Sequence, residues 1–593
     1  MPSRGVSLSA HAETNRRSLR DERLRAGRII SALALAAALI LCWRVAEVRP
    51  TALFNAAAIS SVWAFVRGLF PPDLSPGFLS IVAAAIVQTV AIAFAGTVLS
   101  ILIGLPLGVL STATLYRRGV LVASEPRGWH AALLAWASRM VRAVLSFLRA
   151  VPDLVWGLLF VSAVGLGSVA GTLALAISYA GVLGRVYADV FEDVDQRPVE
   201  ALCAAGATRA QIFLRAILPQ AMPGALAYTF YSFECCVRAA SVLGFVGAGG
   251  IGYEIGLSMR LFEYNQVLTL LLTFICLLAV TDAVSRTARR RLHSKAMRGG
   301  ESLAQQTSAV SFVRRAPDYF VRRTPGSVAG LMLLLAVGLS FYATGLTGGA
   351  LFEAGLAARV VRFVGAMLPP DLDPAFLRSL ALPLLQTISI SVIGTLAGVL
   401  IGTLLALPAA STLMLVEMET AGHRSIVEQI ARRLSYVTAR LLAGILRSVP
   451  ELVWVLICII AVGLGPFAGT LAIGLHTGGV LGRLYADTLE ETPARPVEAL
   501  RAAGAGTFQI LLWGIWPQAR PTLVSYTMLR WEMNLRAATV LGLVGGGGLG
   551  QVIFNSIQLG FYPRVATLIL LVYALVTATD WIGDGLRARH IYT

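Results

Sequence analysis

No charged residue lies between Asp73 and Arg117, between Asp153 and Arg185, or between Arg378 and Glu417, gaps of 43, 31 and 38 residues. A helix needs about 20 apolar residues to cross a bilayer, so each gap holds at least one crossing. The apolar runs are continuous instead of alternating, which argues against a membrane β-barrel. Of the 593 residues, 56% are hydrophobic and only 14% charged, where a soluble domain carries about 25% charged residues. The chain reads as an all-α polytopic membrane protein. A soluble enzyme, a disordered protein and a disulfide scaffold are excluded.

The net charge of +17 does not point to nucleic acid. The arginines cluster between apolar segments, where the positive-inside rule places cytoplasmic loops. Lys295 is the single lysine. A nucleotide-binding P-loop needs its lysine within GxxxxGK[ST], and Leu292-His293-Ser294-Lys295 does not supply it. Any ATP and magnesium used must therefore be held by another polypeptide, and no cofactor is expected in this chain. Cys42, Cys203, Cys235, Cys236, Cys276 and Cys458 form no CxxC, and the six histidines no HExxH. Buried free thiols are expected, not a metal site. A membrane-embedded enzyme would need a nucleophile–base pair or a metal-ligand set, and none stands out.

The chain is one unit written twice. Pro71-Pro72-Asp73-Leu74 recurs as Pro369-Pro370-Asp371-Leu372, and Gln88-Thr89 as Gln386-Thr387. Pro152-Asp153-Leu154-Val155-Trp156 recurs as Pro450-Glu451-Leu452-Val453-Trp454. Every offset is 298, and from Arg238 to Gly252 11 of 15 residues equal those from Arg536 to Gly550. A period of this kind fixes the architecture before any element is assigned. The expected organisation is a cytoplasmic basic arm (1–28), a first membrane domain (29–285), a cytoplasmic linker (286–323) and a second membrane domain (324–593). Each half offers six apolar segments. They lie near 29–49, 79–112, 143–165, 169–190, 224–250 and 265–285, then near 327–347, 377–410, 441–463, 467–488, 522–548 and 563–583.

The arm, the loops 117–142 and 191–215 and the linker are arginine-rich. These are alternate loops, so both termini and the linker are expected in the cytoplasm. Six crossings per half make the halves parallel repeats, with a pseudo-twofold axis along the membrane normal and room for one pathway between them.

The loop joining segments four and five reads Val199-Glu200-Ala201-Leu202-Cys203-Ala204-Ala205-Gly206-Ala207, followed by Pro219. Its copy reads Val497-Glu498-Ala499-Leu500-Arg501-Ala502-Ala503-Gly504-Ala505, followed by Pro517. A short helix opened by the glutamate and ending near the glycine is expected, with the proline closing the next helical stretch. Two such helices exposed to the cytoplasm are docking elements.

This loop resembles the EAA loop of ABC importer permeases. The stretch Trp531-Glu532-Met533-Asn534-Leu535-Arg536 through Gly545-Gly546-Gly547-Gly548-Leu549-Gly550 resembles the fifth-crossing signature of the PhnE family, permeases of phosphonate importers and their phosphite relatives. The first half departs from it, because Phe233-Glu234-Cys235-Cys236-Val237-Arg238 lacks the tryptophan and the asparagine. The resemblance implies a MetI-like permease fold, here with two permeases fused. It implies a bacterial inner-membrane location, an extracytoplasmic solute-binding protein and two cytoplasmic ABC ATPase subunits. Those subunits would seat at Glu200, Ala201, Gly206 and Pro219 and at Glu498, Ala499, Gly504 and Pro517. The chain itself is then a permease and not an enzyme. Two alternatives stay open: an ABC importer permease for phosphate or another small solute, and a twelve-helix secondary transporter.

Two further features bear on the pathway. Gly247, Gly249 and Gly250, with Gly545, Gly547 and Gly548, have GxGxxG-like spacing. A dinucleotide fold would need a strand before them. Close helix packing or a break in segment five is one reading, and a gate or anion-facing backbone nest the other. Glu234 lies ten residues beyond Gly224, roughly 15 Å along a helix and about half the hydrocarbon thickness. Glu532 matches it, and Arg238 and Arg536 follow at i+4 on the same face. Charges at this depth face a cavity or a partner. Either each pair neutralises itself, or the two arginines face one oxyanion with the glutamates orienting them. Asn534 belongs to the same candidate set. On the second account Arg536 should matter more than Arg238, because the first half departs from the signature.

Overall fold

A computed structural model describes residues 30–112, 129–304, 325–346, 354–414 and 426–591. The basic arm and part of the linker lie outside the described residues. Among the described residues there is no strand. Six helices of the described residues are long and apolar enough to cross a membrane, or up to nine if each bent pair is one span.

Segments two and four form the centre of each half. In the first half, Pro76–Ser111 packs along Ser168–Glu192. Gly96, Ser100, Gly104 and Gly108 fall every fourth residue, on one face. A Cβ on Gly104 would stand 3.0 Å from the Ala180 carbonyl oxygen, and one on Gly108 2.9 Å from that of Gly184. In the second half Gly394, Gly398 and Gly402 play the same part against Pro466–Glu490, where a Cβ on Gly398 would meet Thr477 Cγ2 at 2.7 Å. Small residues at this spacing let backbones approach where the hydrophobic effect cannot hold helices together.

Segment three is not the single straight crossing expected near 143–165 and 441–463. Trp129–Ala150 ends before Pro152, and Asp153–Val164 leaves at 90°. Ile426–Ser448 and Glu451–Val462 meet at 97°. The repeated Pro-Asp/Glu-Leu-Val-Trp motif builds this corner. The proline ring fixes φ, here −61° with ψ at 146°, has no N–H to continue a helix and biases the residue before it away from helix. The acid sits in the first turn of the new helix, where the dipole favours it. The indole closes the corner: Trp156 Nε1 donates to the Leu148 carbonyl at 3.3 Å, and Trp454 Nε1 to that of Leu446 at 3.0 Å. An apolar run reveals a crossing but not a change of direction within it.

The first segment of each half and the last segment of the second do not stay with their own halves. Among the described residues, one compact unit joins those up to Asn55 with those of Leu377–Arg447 and Trp454–Leu549; the other holds those of Ala56–Phe376, Ser448–Val453 and Gly550–Thr593. Cys42 and Ala46, at the end of helix Ile30–Val45, accordingly pack with Ile393 of the second half. Helix Pro325–Ala343 packs on Pro76–Ser111 of the first, and its outward Leu331, Leu334 and Leu335 stay about as exposed as a hydrocarbon-facing helix requires. The last helix, Tyr562–Ile591, joins the first half through Arg149–Asp580 at 3.2 Å and Phe147 against Tyr573.

Segment six of the first half runs on as one helix, Tyr264–Ala304, so the linker begins helical. Splitting the gene near Gly299-Gly300 and coexpressing the pieces is expected to preserve uptake. The exchanged segments would hold the pieces together without a covalent joint. Loss of uptake at normal membrane levels of both pieces would give the linker a role of its own.

Candidate functional site

The two loops fold into matched surface helices, Gln196–Ala204 and Ala494–Ala502. Glu200 and Glu498 do not open them, contrary to expectation. Each is the fifth residue, and Asp195 caps the first helix by accepting from Arg197 N at 3.1 Å. The dipole contribution is spent within the first turn, so the glutamates act as exposed charges on the outer face. The ends are as expected. Gly206 and Gly504 take left-handed φ of +73° and +80°. The N–H of Ala207 donates to Leu202 O and that of Gly206 to Cys203 O, both at 3.0 Å, and Ala505 and Gly504 repeat the pattern. This satisfies the last carbonyls of the helix, and glycine is the residue that adopts such a backbone freely.

Each helix is amphipathic in the simplest sense. Val199 is 1% exposed and packs with Leu183, Tyr187 and Phe191 at the end of segment four and with Ile212 and Ile217 ahead of segment five. Glu200, Ala201, Ala204 and Gly206 face outward, as do Glu498, Ala499, Ala502 and Gly504. On the inner side, burial raises the Cys203 thiol pKa, with Glu200 adding to it, so the thiol stays protonated and unreactive. Pro219 and Pro517 do not close a stretch. Each is the second residue of a long helix, Leu218–Leu243 or Trp516–Leu541, reached through a π-helical turn. A missing N–H is tolerated there.

One latch beside these helices escaped the sequence reading. Arg142 donates to Glu192 Oε1 at 2.6 Å and to Ser111 O at 2.7 Å, and Arg440 to Glu490 Oε1 at 2.6 Å and Ala409 O at 3.0 Å. It ties segment three to the ends of segments two and four, the latter leading into the surface helix. Its one sequence signal is that both residues recur at the offset of 298.

The glycine-rich stretch is a break in segment five. Helix Leu218–Leu243 gives way to a 3₁₀ turn at Gly244–Val246, and a new helix starts at Ile251. Gly247, Gly249 and Gly250 have φ of +97°, +84° and +75°, and Gly545, Gly547 and Gly548 of +96°, +78° and +76°. The recurring Gln-Thr pair caps the new helix from segment two. Gln88 Oε1 accepts from Gly250 N at 2.8 Å and Thr89 Oγ1 from Ile251 N at 2.9 Å. Gln386 and Thr387 do the same for Gly548 and Leu549 at 3.4 and 2.9 Å. A Cβ on Gly249 would stand 2.6 Å from Gln88 Nε2, and one on Gly250 2.4 Å from Thr89 Oγ1. The geometry is that of a close-packed, cross-tied turn.

Segment five treats its charges differently in the two halves. Gly224 lies inside helix Leu218–Leu243 instead of at its start, so depth is better counted from the break: Arg238 stands five residues, about 7.5 Å, before Leu243. In the second half Arg536 donates to Glu532 Oε1 at 3.1 Å, the expected i+4 pair. In the first half the pair does not form. Glu234 lies 3.7 Å from Arg289 of segment six, which also sits over the Tyr231 ring. Asn534 is 2% exposed, accepting from Thr477 at 2.9 Å and donating to Thr395 at 2.8 Å. It cross-links segments two, four and five, and Cys236 takes its place in the first half.

A twice-repeated helical bundle with a matched surface helix on each copy is the arrangement of a polytopic transport permease. The family described as "Binding-protein-dependent transport system inner membrane component" matches residues 119–295 and again residues 420–591, and the chain belongs to it, with two permease domains in one polypeptide. The phosphate-import permease protein PhnE of Mycolicibacterium smegmatis is 29% identical over 554 residues, 93% of each chain. The phosphite transport system permease protein PtxC of Stutzerimonas stutzeri is 36% identical over 228 residues, 38% of this chain and 76% of its own. The family match sets aside the twelve-helix secondary transporter.

Proposed function

We propose that this chain forms the membrane pathway of an ATP-binding-cassette importer for a phosphorus oxyanion, phosphonate or phosphite, in a bacterial inner membrane with both termini cytoplasmic. The doubled docking helix carries the reading. Two matched outward faces, at Glu200–Gly206 and Glu498–Gly504, suit two copies of one partner, a cytoplasmic ATPase holding ATP and magnesium. An extracytoplasmic binding protein would deliver the solute. The permeation site then needs only weak affinity, since a ligand shifts the transport cycle only through its differential affinity for the two states. The phosphite relative supports the substrate class. Phosphate is the second reading, favoured by the relative that matches 93% of this chain.

The test is ATP-driven uptake in proteoliposomes holding this chain, its ATPase and its binding protein. Labelled phosphite, methylphosphonate and phosphate would be supplied in turn. Phosphite or methylphosphonate accumulation is expected. Phosphate alone would select the second reading, and none of the three would overturn both.

A further inference from the structure

The two copies of segment five present different chemistry on one corresponding face. In the second half that face carries Leu529, 41% exposed, and Met533, 46% exposed, before Arg536. Arg536 is held by Glu532, itself 9% exposed. In the first half the same positions are Tyr231, Cys235 and Arg238. Tyr231 is 43% exposed, and its ring lies 5.6 Å from that of Tyr228. Arg238 is exposed, and among the described residues no carboxylate pairs with it, because Glu234 is turned toward Arg289. It lies inside the apolar span Arg209–Arg260. A guanidinium with neither water nor an anion is not tolerated at such a place, so it faces a hydrated cavity or an anionic partner.

We infer that Arg238, not Arg536, is the residue of segment five that contacts the transported oxyanion, with Tyr231 one helical repeat away on the same face. The inference rests on the oxyanion reading of the function. A planar guanidinium offers paired donors that match phosphorus oxyanions, and a phenolic hydroxyl adds a neutral donor. With Glu234 engaged elsewhere, the positive charge of Arg238 stays available, whereas that of Arg536 is compensated within its own helix. This inverts the order of importance that the family resemblance implies. The signature residues of the second half build a rigid, internally paired helix, and the divergent first half supplies the contact.

Uptake of labelled phosphite or methylphosphonate, whichever the wild type transports, would be compared in proteoliposomes of wild type, Arg238→Gln, Arg238→Lys and the paired variant Glu532→Gln/Arg536→Gln. The paired variant removes both charges together, so no buried carboxylate is left alone. Arg238→Gln is expected to lower uptake about tenfold or more, as loss of a charge-assisted contact does. Arg238→Lys should restore part of it, and the paired variant should stay within about twofold of wild type. Wild-type uptake by Arg238→Gln would overturn the assignment, as would an equal loss in the paired variant at matched membrane levels. A lipid phosphate could supply the same anion. In that case Arg238→Gln would leave the membrane, or lose thermal stability in a way that varies with lipid headgroup, and either result would overturn the solute contact. Failure of the wild type to move any phosphorus oxyanion would strike the functional reading itself.

Discussion

Replacing Gly206 and Gly504 together by aspartate is expected to abolish uptake while the protein stays in the membrane at its normal level. A Cβ at either position meets nothing within 4 Å, so the side chains enter open space. The left-handed backbone costs an ordinary L-residue about 1–2 kcal/mol, and Asp less. The docking helices should therefore keep their shape. What changes is the surface they present, since Gly206 and Gly504 border the outward faces at Ala204 and Ala502. A charge buried there without a partner costs about 2–5 kcal/mol, so loss of uptake by at least about tenfold should follow. The matching Gly206→Asn/Gly504→Asn variant tolerates the same backbone without the charge and should retain most uptake. Uptake and co-purification of the ATPase would be measured in parallel. Normal uptake by the double aspartate variant would remove these helices from the coupling path. Single variants need not be equal, because Arg501 stands where the first helix has Cys203.

Much of this architecture was legible because duplication writes the loops, the corner and the glycine break on the page twice. The docking helices are the clearest case: Ala-Ala-Gly-Ala after Glu-Ala reads directly as a helix with a glycine stop, and the structure adds only the true start at Gln196 and Ala494. The corner at Pro152 was written in the sequence but masked by the apolar run around it. The exchange of the two first segments, and the move of the second half's last one, was not legible, since an apolar helix such as Pro325–Ala343 carries no mark of which half it will lie against. Segment five shows the same limit at finer scale. Spacing places Glu234 and Arg238 on one helix face, but it cannot show that Arg289, 55 residues on, competes for the carboxylate. Nor does it show that Asn534 turns inward to Thr395 and Thr477. These outcomes depend on helix rotation, which the surrounding packing sets.

The break in segment five should be the least forgiving place in the chain. A Cβ on Gly252 would stand 1.6 Å from the Ser241 carbonyl oxygen. That atom belongs to backbone and cannot swing away, so Gly252→Ala is expected to open the turn and leave little folded protein in the membrane. A gentler pair of substitutions measures what the cap contributes. Thr89→Val and Thr387→Val keep the side-chain shape but remove the oxygen that accepts from Ile251 N and Leu549 N. Ile251, Leu549 and both threonines are fully buried, so water cannot readily replace the lost acceptor. Each unsatisfied N–H should cost about 1–3 kcal/mol. The two caps share no partner, so their effects should add within about 0.5 kcal/mol. Thermal unfolding of the detergent-purified protein should therefore show a fall for each single variant and roughly their sum for the double. An unchanged midpoint in Thr89→Val would mean that the hydroxyl is not what holds the new helix in place. The glycines alone, with Gln88, would then account for the turn.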